Sequence, residues 1–297
     1  NQLSNGRKRR IVSESSAGQT IEVVTKGQVL CGRYELGREI ARGGMGIVYE
    51  ATDRELEGSP VAIKVLPPEL STSEKYKIRL RKEAIAAMKL THPAILRLHS
   101  FESDGDIVFL IMELLTGPNL EQATIDPPYL PLEEVMDIAK QVCPALDYAH
   151  KNGVIHRDIK PANLIYTGEG EDRVVKVTDF GIAFVVKDSI SRVSGMESAG
   201  TLLYVSPEQL QGNKPGPQAD QYSLATTFYE LISGETPFSG AGISYQVINA
   251  TPRPLKDVPQ HISDAINRAL SKNPDERFSS CTEFLEALEG KIPAIAS

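Results

Sequence analysis

The chain has no tryptophan, only three cysteines and no long apolar run. The missing Trp excludes little by itself. Cys31, Cys143 and Cys281 are too far apart for metal-ligand spacing and too few for a disulfide framework, so they read as reduced packing residues in a cytosolic compartment. No stretch approaches the roughly 20 apolar residues of a membrane-spanning helix, and nothing resembles a secretory signal. A net charge of 32 − 39 = −7 argues against general nucleic-acid binding. The chain opens on Asn1 instead of Met, which reads as a fragment or processed piece. Any membrane attachment is therefore expected from segments outside it.

What is present fits a folded protein with a sizeable core: 41% hydrophobic and 24% charged residues over 297 positions, enough for one large or two modest domains. Residues 1–30 read as a polar tail with a basic run, Arg7-Lys8-Arg9-Arg10, and a short strand over Thr20–Thr25. From Tyr34 the pattern turns strand-like. YELGREIA and GIVYEATD flank a glycine-rich turn, VAIKVL is a continuous β-branched run, and Ile95–Phe101 and Ile107–Met112 flank the turn SDGD. Between Ser73 and Leu90, Tyr76, Leu80, Ala84, Ala87 and Met88 recur at helical spacing, with Ser71 and Ser73 as candidate N-caps. After Gly117-Pro118 helices dominate: 132–151, 220–233, 262–270 and 281–288. Pro144 falls inside the first of these and should bend it or cost roughly 3 kcal/mol.

The densest chemistry lies in Val154–Tyr166, VIHRDIKPANLIY, followed by Val175–Ala183, VKVTDFGIA. Two short apolar runs, Asn163–Tyr166 and Val174–Val177, read as strands joined by a polar, acidic turn, and in the loop before them Pro161 prevents a helix. An Asp, a Lys and an Asn on one rigid loop, with a second Asp at 179, suit phosphoryl transfer to a hydroxyl. One carboxylate takes the proton, an ammonium steadies the phosphate, and Asn with the second carboxylate offers oxygens to magnesium. Gly43, Gly44 and Gly46 lie in the hairpin turn IARGGMGIV, where missing Cβ atoms let backbone amides approach phosphate; structural hairpin glycines are the alternative reading. Lys64 stands in the apolar run VAIKVL. It is either a snorkelling edge lysine or an ammonium held by anionic partners.

His156-Arg157-Asp158…Asn163 and Asp179-Phe180-Gly181, 179 − 163 = 16 residues apart, match H-R-D-x-x-x-x-N and D-F-G. On these motifs the chain resembles the eukaryotic-type protein serine/threonine kinases over residues 34–288. The wording GGMG, HRDIKPAN, DFGIA and SPEQ is most like the bacterial branch. The resemblance implies an α+β, two-lobed fold: a small β-rich N-lobe with one helix over 31–115 and a larger helical C-lobe over 116–290, between tails 1–30 and 291–297. It implies ATP and Mg2+, with Mn2+ as a substitute, and protein acceptors bearing Ser or Thr.

The resemblance also assigns residues. Asp158 is the base, Lys160 meets the γ-phosphate, Lys64 grips the α- and β-phosphates and pairs with Glu83, and Asn163 and Asp179 hold the metal. Ile40, Ala41, Gly43, Gly44, Gly46, Val48, Ala62, Met112, Glu113 and Leu115 surround the nucleotide, Met112 as gatekeeper. Ala41 departs from the pattern, standing where the first loop glycine is expected. Lys160 and Thr201, in GTLLYVSPE, favour Ser/Thr over Tyr as acceptor. Glu208 is expected to pair with Arg277, and Asp220 to hold the catalytic-loop backbone. Ser189, Ser191, Ser194 and Ser198 are candidate autophosphorylation sites, Ser194 or Ser198 first, with Arg157 as the phosphate's partner and a second copy as the enzyme acting on them. The expected setting is cytoplasmic, as the cytoplasmic domain of a membrane-anchored receptor kinase. The competing reading is a pseudokinase scaffold that binds nucleotide and partners without transfer; a small-molecule kinase would lack GTLLYVSPE.

Overall fold

The computed structural model describes residues 12–14, 20–22, 24–68, 74–168, 170, 173–180 and 199–294. Arg7–Arg10, Ser71, Ser73, Gly181 and the four candidate phosphorylation serines lie outside them. The chain divides into two compact units, one formed by residues up to Ile78 with His99–Leu114, the other by Arg79–Leu98 and the chain from Leu115.

In the first unit, β1 (Val12–Glu14) and β2 (Thr20–Glu22) form a separate antiparallel pair. The main sheet holds β3 (Val29–Leu30), β4 (Tyr34–Gly43), β5 (Gly46–Asp53), β6 (Ser59–Val65), β7 (Leu98–Asp104) and β8 (Ile107–Met112), in the order β3-β4-β5-β6-β8-β7. Its edge strand, Val29–Leu30, comes from the end of the stretch that reads as a tail: Leu30 is buried and pairs with Tyr34. One face of the sheet closes over a core of Leu36, Tyr49, Ile63, Val65, Phe109 and Ile111. The helix expected after Leu66 is α1 (Glu74–Met88), with Leu80, Ala84 and Ala87 buried.

The strand expected from Ile95 begins at Leu98 instead. Ile95 bridges Val177, Leu96 donates its N–H to the Val177 carbonyl and Val177 donates to the Ala94 carbonyl, so residues 94–96 are already paired elsewhere.

The second unit carries α2 (Leu120–Ala123), α3 (Leu132–Lys151), the hairpin of β9 (Leu164–Thr167) and β10 (Val174–Val177), then α4 (Pro207–Leu210), α5 (Pro217–Ser233), α6 (Ile243–Asn249), α7 (Gln260–Ala269) and α8 (Cys281–Leu288). Pro144 sits inside α3 without ending it. The carbonyl that loses its partner belongs to Lys140, an exposed residue, so the loss falls on the solvent side of the helix and not in the core. The second unit is organised around α5, which is buried from Ala219 through Tyr229 on every side.

Most of its polar residues are committed, although the buried Tyr222 hydroxyl has no hydrogen-bond partner among the described residues. Gln221 bonds the backbone of Phe278 and Ser280, Ser223 donates to the carbonyls of Tyr204 and Ala219, and Thr226 and Thr227 donate one turn back. Cys143 and Cys281 are buried and free, and burial pushes both thiols up, which fits packing residues. No helix among the described residues is long and apolar enough to cross a membrane.

Candidate active site

In the first unit, strand register brings the nucleotide candidates onto one face. Val48 pairs with Ala41 on one side and Lys64 on the other, Lys64 pairs with Leu110, and Ala62 pairs with Met112. Because side chains alternate along a strand, Ala41, Val48, Ala62, Lys64 and Met112 share the face opposite the Tyr49–Ile63–Phe109 core. Lys64 is 4% exposed there. Ile40, one step along β4, is exposed, and Glu113 and Leu115 are half-buried after β8.

The hairpin turn closes between Gly43 and Gly46. Only Gly46 is required by the fold: its φ is 118°, and a Cβ there would stand 2.1 Å from the Val65 carbonyl oxygen. A Cβ on Gly43 or Gly44 meets nothing within 4 Å, so those two glycines leave backbone accessible instead of relieving a clash.

In the second unit, the catalytic loop is suspended from α5. Asp220 is fully buried; its Oδ2 accepts the N–H of His156 at 2.8 Å and its Oδ1 that of Arg157 at 2.7 Å, while His150 Nε2 lies 2.8 Å from Oδ2. Burial pushes this carboxyl up, but His150, His156 and the Arg157 N–H outweigh it and hold it below the ordinary 3.8. The two backbone bonds keep Arg157 at φ 67°, a left-handed conformation that costs about 1–3 kcal/mol in a residue with a side chain.

His156 is fixed from both ring nitrogens. Nε2 lies 2.6 Å from the Thr178 carbonyl, which can only accept, so Nε2 carries the hydrogen and Nδ1 accepts the N–H of Asp158 at 3.2 Å. The Phe180 ring stands edge-on to it at 4.7 Å. Thus Phe180 and Thr178, on either side of Asp179, are tied to the residue two before Asp158. Asp179 itself is at φ 64°.

Lys160 precedes proline and is extended, as a pre-proline residue must be, and Pro161 then opens a tight 3-10 turn ending at Asn163. The turn returns the Asn163 amide to Asp158: Nδ2 donates to the Asp158 carbonyl at 2.7 Å and to its Oδ2 at 3.1 Å. Lys160 Nζ is 3.7 Å from the same Oδ2. The Asn163 nitrogen is therefore committed, which leaves the amide oxygen for a cation. That oxygen and a carboxylate are the hard donors a small divalent ion takes, so the residues present fit the expected metal. The hairpin behind the loop is equally constrained, since a Cβ on Gly117 would stand 2.1 Å from the Tyr166 carbonyl oxygen.

The segment after the described loop is also anchored. Ser206 and Gln209 form a capping box on α4, and Gln209 donates to the Arg157 carbonyl. Glu208 meets Arg277 in a two-pronged pair at 2.8 and 2.9 Å, with the Arg277 side chain fully buried. Thr201 lies in a 3-10 turn over Ala199–Tyr204. Glu83, on α1, comes within 3.8 Å of Arg157 Nη1. Three contributors escaped the sequence reading. They are His150, the Tyr204 hydroxyl donating to Glu230 Oε2 at 2.6 Å, and Asp147, whose oxygens accept the N–H groups of Cys281 and Thr282 and cap α8. None of the three has a local signal, since each partner lies far along the chain.

A glycine-turned sheet unit accompanied by a helical unit carrying this loop defines a kinase architecture. The model of the protein kinase domain matches residues 34–288, and the chain belongs to that family. It is 39% identical over 271 residues to the serine/threonine-protein kinase PknA of Mycobacterium tuberculosis, which covers 88% of this chain and 62% of PknA. It is 36% identical over 266 residues to PknB of Mycobacterium leprae, 86% of this chain and 42% of PknB. The chain thus spans about three fifths or less of these relatives. The solved kinase domain of Mycobacterium tuberculosis PknI superposes with a TM-score of 0.73 at 29% identity, covering 91% of this chain and 99% of that one. Members of this family use ATP and a divalent metal ion, and act on proteins.

Proposed function

We propose that the chain is the catalytic part of a serine/threonine protein kinase, passing the γ-phosphoryl group of ATP to Ser or Thr hydroxyls of proteins. The observation that carries this is the convergence of Lys160, Asn163 and Asp158 Oδ2 on one turn, hung from Asp220. Asp158 accepts the acceptor's proton. Asn163 keeps that carboxylate aimed, and Lys160 offsets charge on the transferring group. Asn163 and Asp179 would hold Mg2+, with Mn2+ as a substitute, and such an ion, when bound, would supply positive charge beside the phosphates. Lys64 takes the α- and β-phosphates, and the face carrying Val48, Ala62 and Met112, with Ile40 and Glu113, receives the adenine. The small lobe spans 31–115 and the large lobe 116–290.

Lys160 is consistent with Ser/Thr acceptors, as is Thr201. Autophosphorylation falls on Ser194 or Ser198, carried out by a second copy, and the setting is the cytoplasmic side of a membrane reached through segments outside this chain. The test is transfer of labelled phosphate from ATP to casein by the chain and by Asp158→Asn. Loss of about three orders of magnitude in kcat is expected, since the lost base and its aim act together. Equal labelling by both proteins refutes the assignment, and the pseudokinase reading predicts no labelling by either.

A further inference from the structure

The helix α6 poses a physical problem. It has seven residues, well below the length at which a helix persists alone, and begins at Gly242 without a side-chain cap. Val247 is its one fully buried residue, while Tyr245 is 71% exposed. Yet it packs against both α4 and the 3-10 turn Ala199–Tyr204. Gln246 secures its approach, donating to the carbonyls of Ser239 and Ala241. At its other end Lys272 Nζ donates to the Val247 carbonyl at 2.8 Å, with the Gln246 carbonyl at 3.5 Å, and lies 4.1 Å from the centre of the buried Phe238 ring. The Gln246 carbonyl already accepts the Ala250 N–H, so the ammonium chiefly serves the Val247 carbonyl, at the negative dipole end of the helix and beside the loop leading into it.

The same residue continues into the Glu208 clamp, because the Lys272 carbonyl accepts from Arg277 Nη2 at 3.4 Å. We infer that Lys272 is a positioning residue for the acceptor protein, fixing α6 and through it the segment Ala199–Leu210. This rests on the kinase reading, which assigns that segment to the acceptor. Arg277 and Lys272 then hold the segment from two sides, one through the Glu208 carboxylate and one through helix carbonyls. Burial, and then the nearby Arg277 charge, pull the Lys272 ammonium down to about 8, which marks it as an interior anchor instead of a solvated surface lysine.

The experiment compares the chain with Lys272→Met, which keeps the stem over Phe238 and removes the charge, and Lys272→Arg, which keeps the charge. Steady-state transfer to casein is measured alongside the KM for ATP, and amide hydrogen exchange is followed over residues 243–249. Lys272→Met should raise the casein KM about threefold to tenfold, the scale of one charged hydrogen bond. It should leave the ATP KM unchanged and speed exchange in α6, and Lys272→Arg should recover most of both effects. Unchanged casein KM with unchanged exchange overturns the inference. So does a matched loss in the casein and ATP constants with a lowered Tm, which would make Lys272 a residue of the fold at large. If the unaltered chain binds ATP but labels no casein, the kinase reading fails, and the exchange measurement alone decides whether Lys272 fixes α6.

Discussion

Removing either member of the Glu208–Arg277 pair should cost more than any other single change to a charged residue outside the catalytic loop. Arg277 uses all five of its N–H donors: two on Glu208, the others on the carbonyls of Gln218, Ser271 and Lys272. Arg277→Met leaves the Glu208 carboxylate buried beside a methyl group and frees three carbonyls. Glu208→Gln leaves a fully buried guanidinium with one neutral acceptor in place of a carboxylate. Each should lower stability by about 3–5 kcal/mol, because the remaining charge keeps its desolvation cost and loses its compensation. The double variant Glu208→Leu with Arg277→Met removes both charges, so it should be less destabilised than the sum of the singles by about 2–3 kcal/mol. With no Trp in the chain, urea unfolding followed by far-UV circular dichroism is the suitable assay. Single changes costing under about 1 kcal/mol, or effects that simply add, would show that the pair is solvated and would refute the reasoning.

Asp220→Asn should cost about 2–4 kcal/mol and reduce transfer, since one oxygen replaces a charged pair of acceptors under the loop. Because the folded chain holds this carboxyl below 3.8, its contribution is complete above pH 4 and is lost as pH falls further, and Asp220→Asn should flatten that acid limb of the stability curve. At the alkaline end the slope has the same sign, for a different reason. The folded chain holds Lys272 near 8 while the unfolded chain keeps about 10.5, so the unfolded state binds the extra proton between them and this group makes stability rise with pH over that window; Lys272→Met should remove the rise. Gly46→Ala should destabilise the first unit by about 1–3 kcal/mol through its φ and the Val65 carbonyl, whereas Gly43→Ala should leave the urea midpoint unchanged and raise the KM for ATP.

The parts of this fold that announce themselves in sequence are those whose reason is local. VAIKVL declares a buried strand by composition, and HRDIKPAN places its functional groups on one turn because Pro161 dictates the backbone. Gly46 is readable for the same reason. Two short helices carried an unused local signal: Asn119 with Gln122, and Ser206 with Gln209, are capping boxes written in the sequence. Helix α6 had none, since ISYQVIN has neither a cap nor a clear stripe and depends on Lys272, 23 residues beyond its end. Ile95 looked like the start of a strand because its apolar character is real; its backbone partner, Val177, is what no window could supply. His150 and Asp147 read as ordinary polar residues near a helix end, and their roles come only from Asp220 and the start of α8.

The burial of α5 on every side has a consequence for how sequence change is tolerated. The helix contributes no group to the proposed transfer, yet it bonds the loop through Asp220, the acceptor segment through Ser223 and the last helix through Gln221. In a saturation screen, substitutions from Ala219 to Tyr229 should be depleted as strongly as those at Asp158, although for want of folded protein instead of want of chemistry. Loops and outer helices could diverge freely around such a strut while the geometry at Asp158 stayed the same.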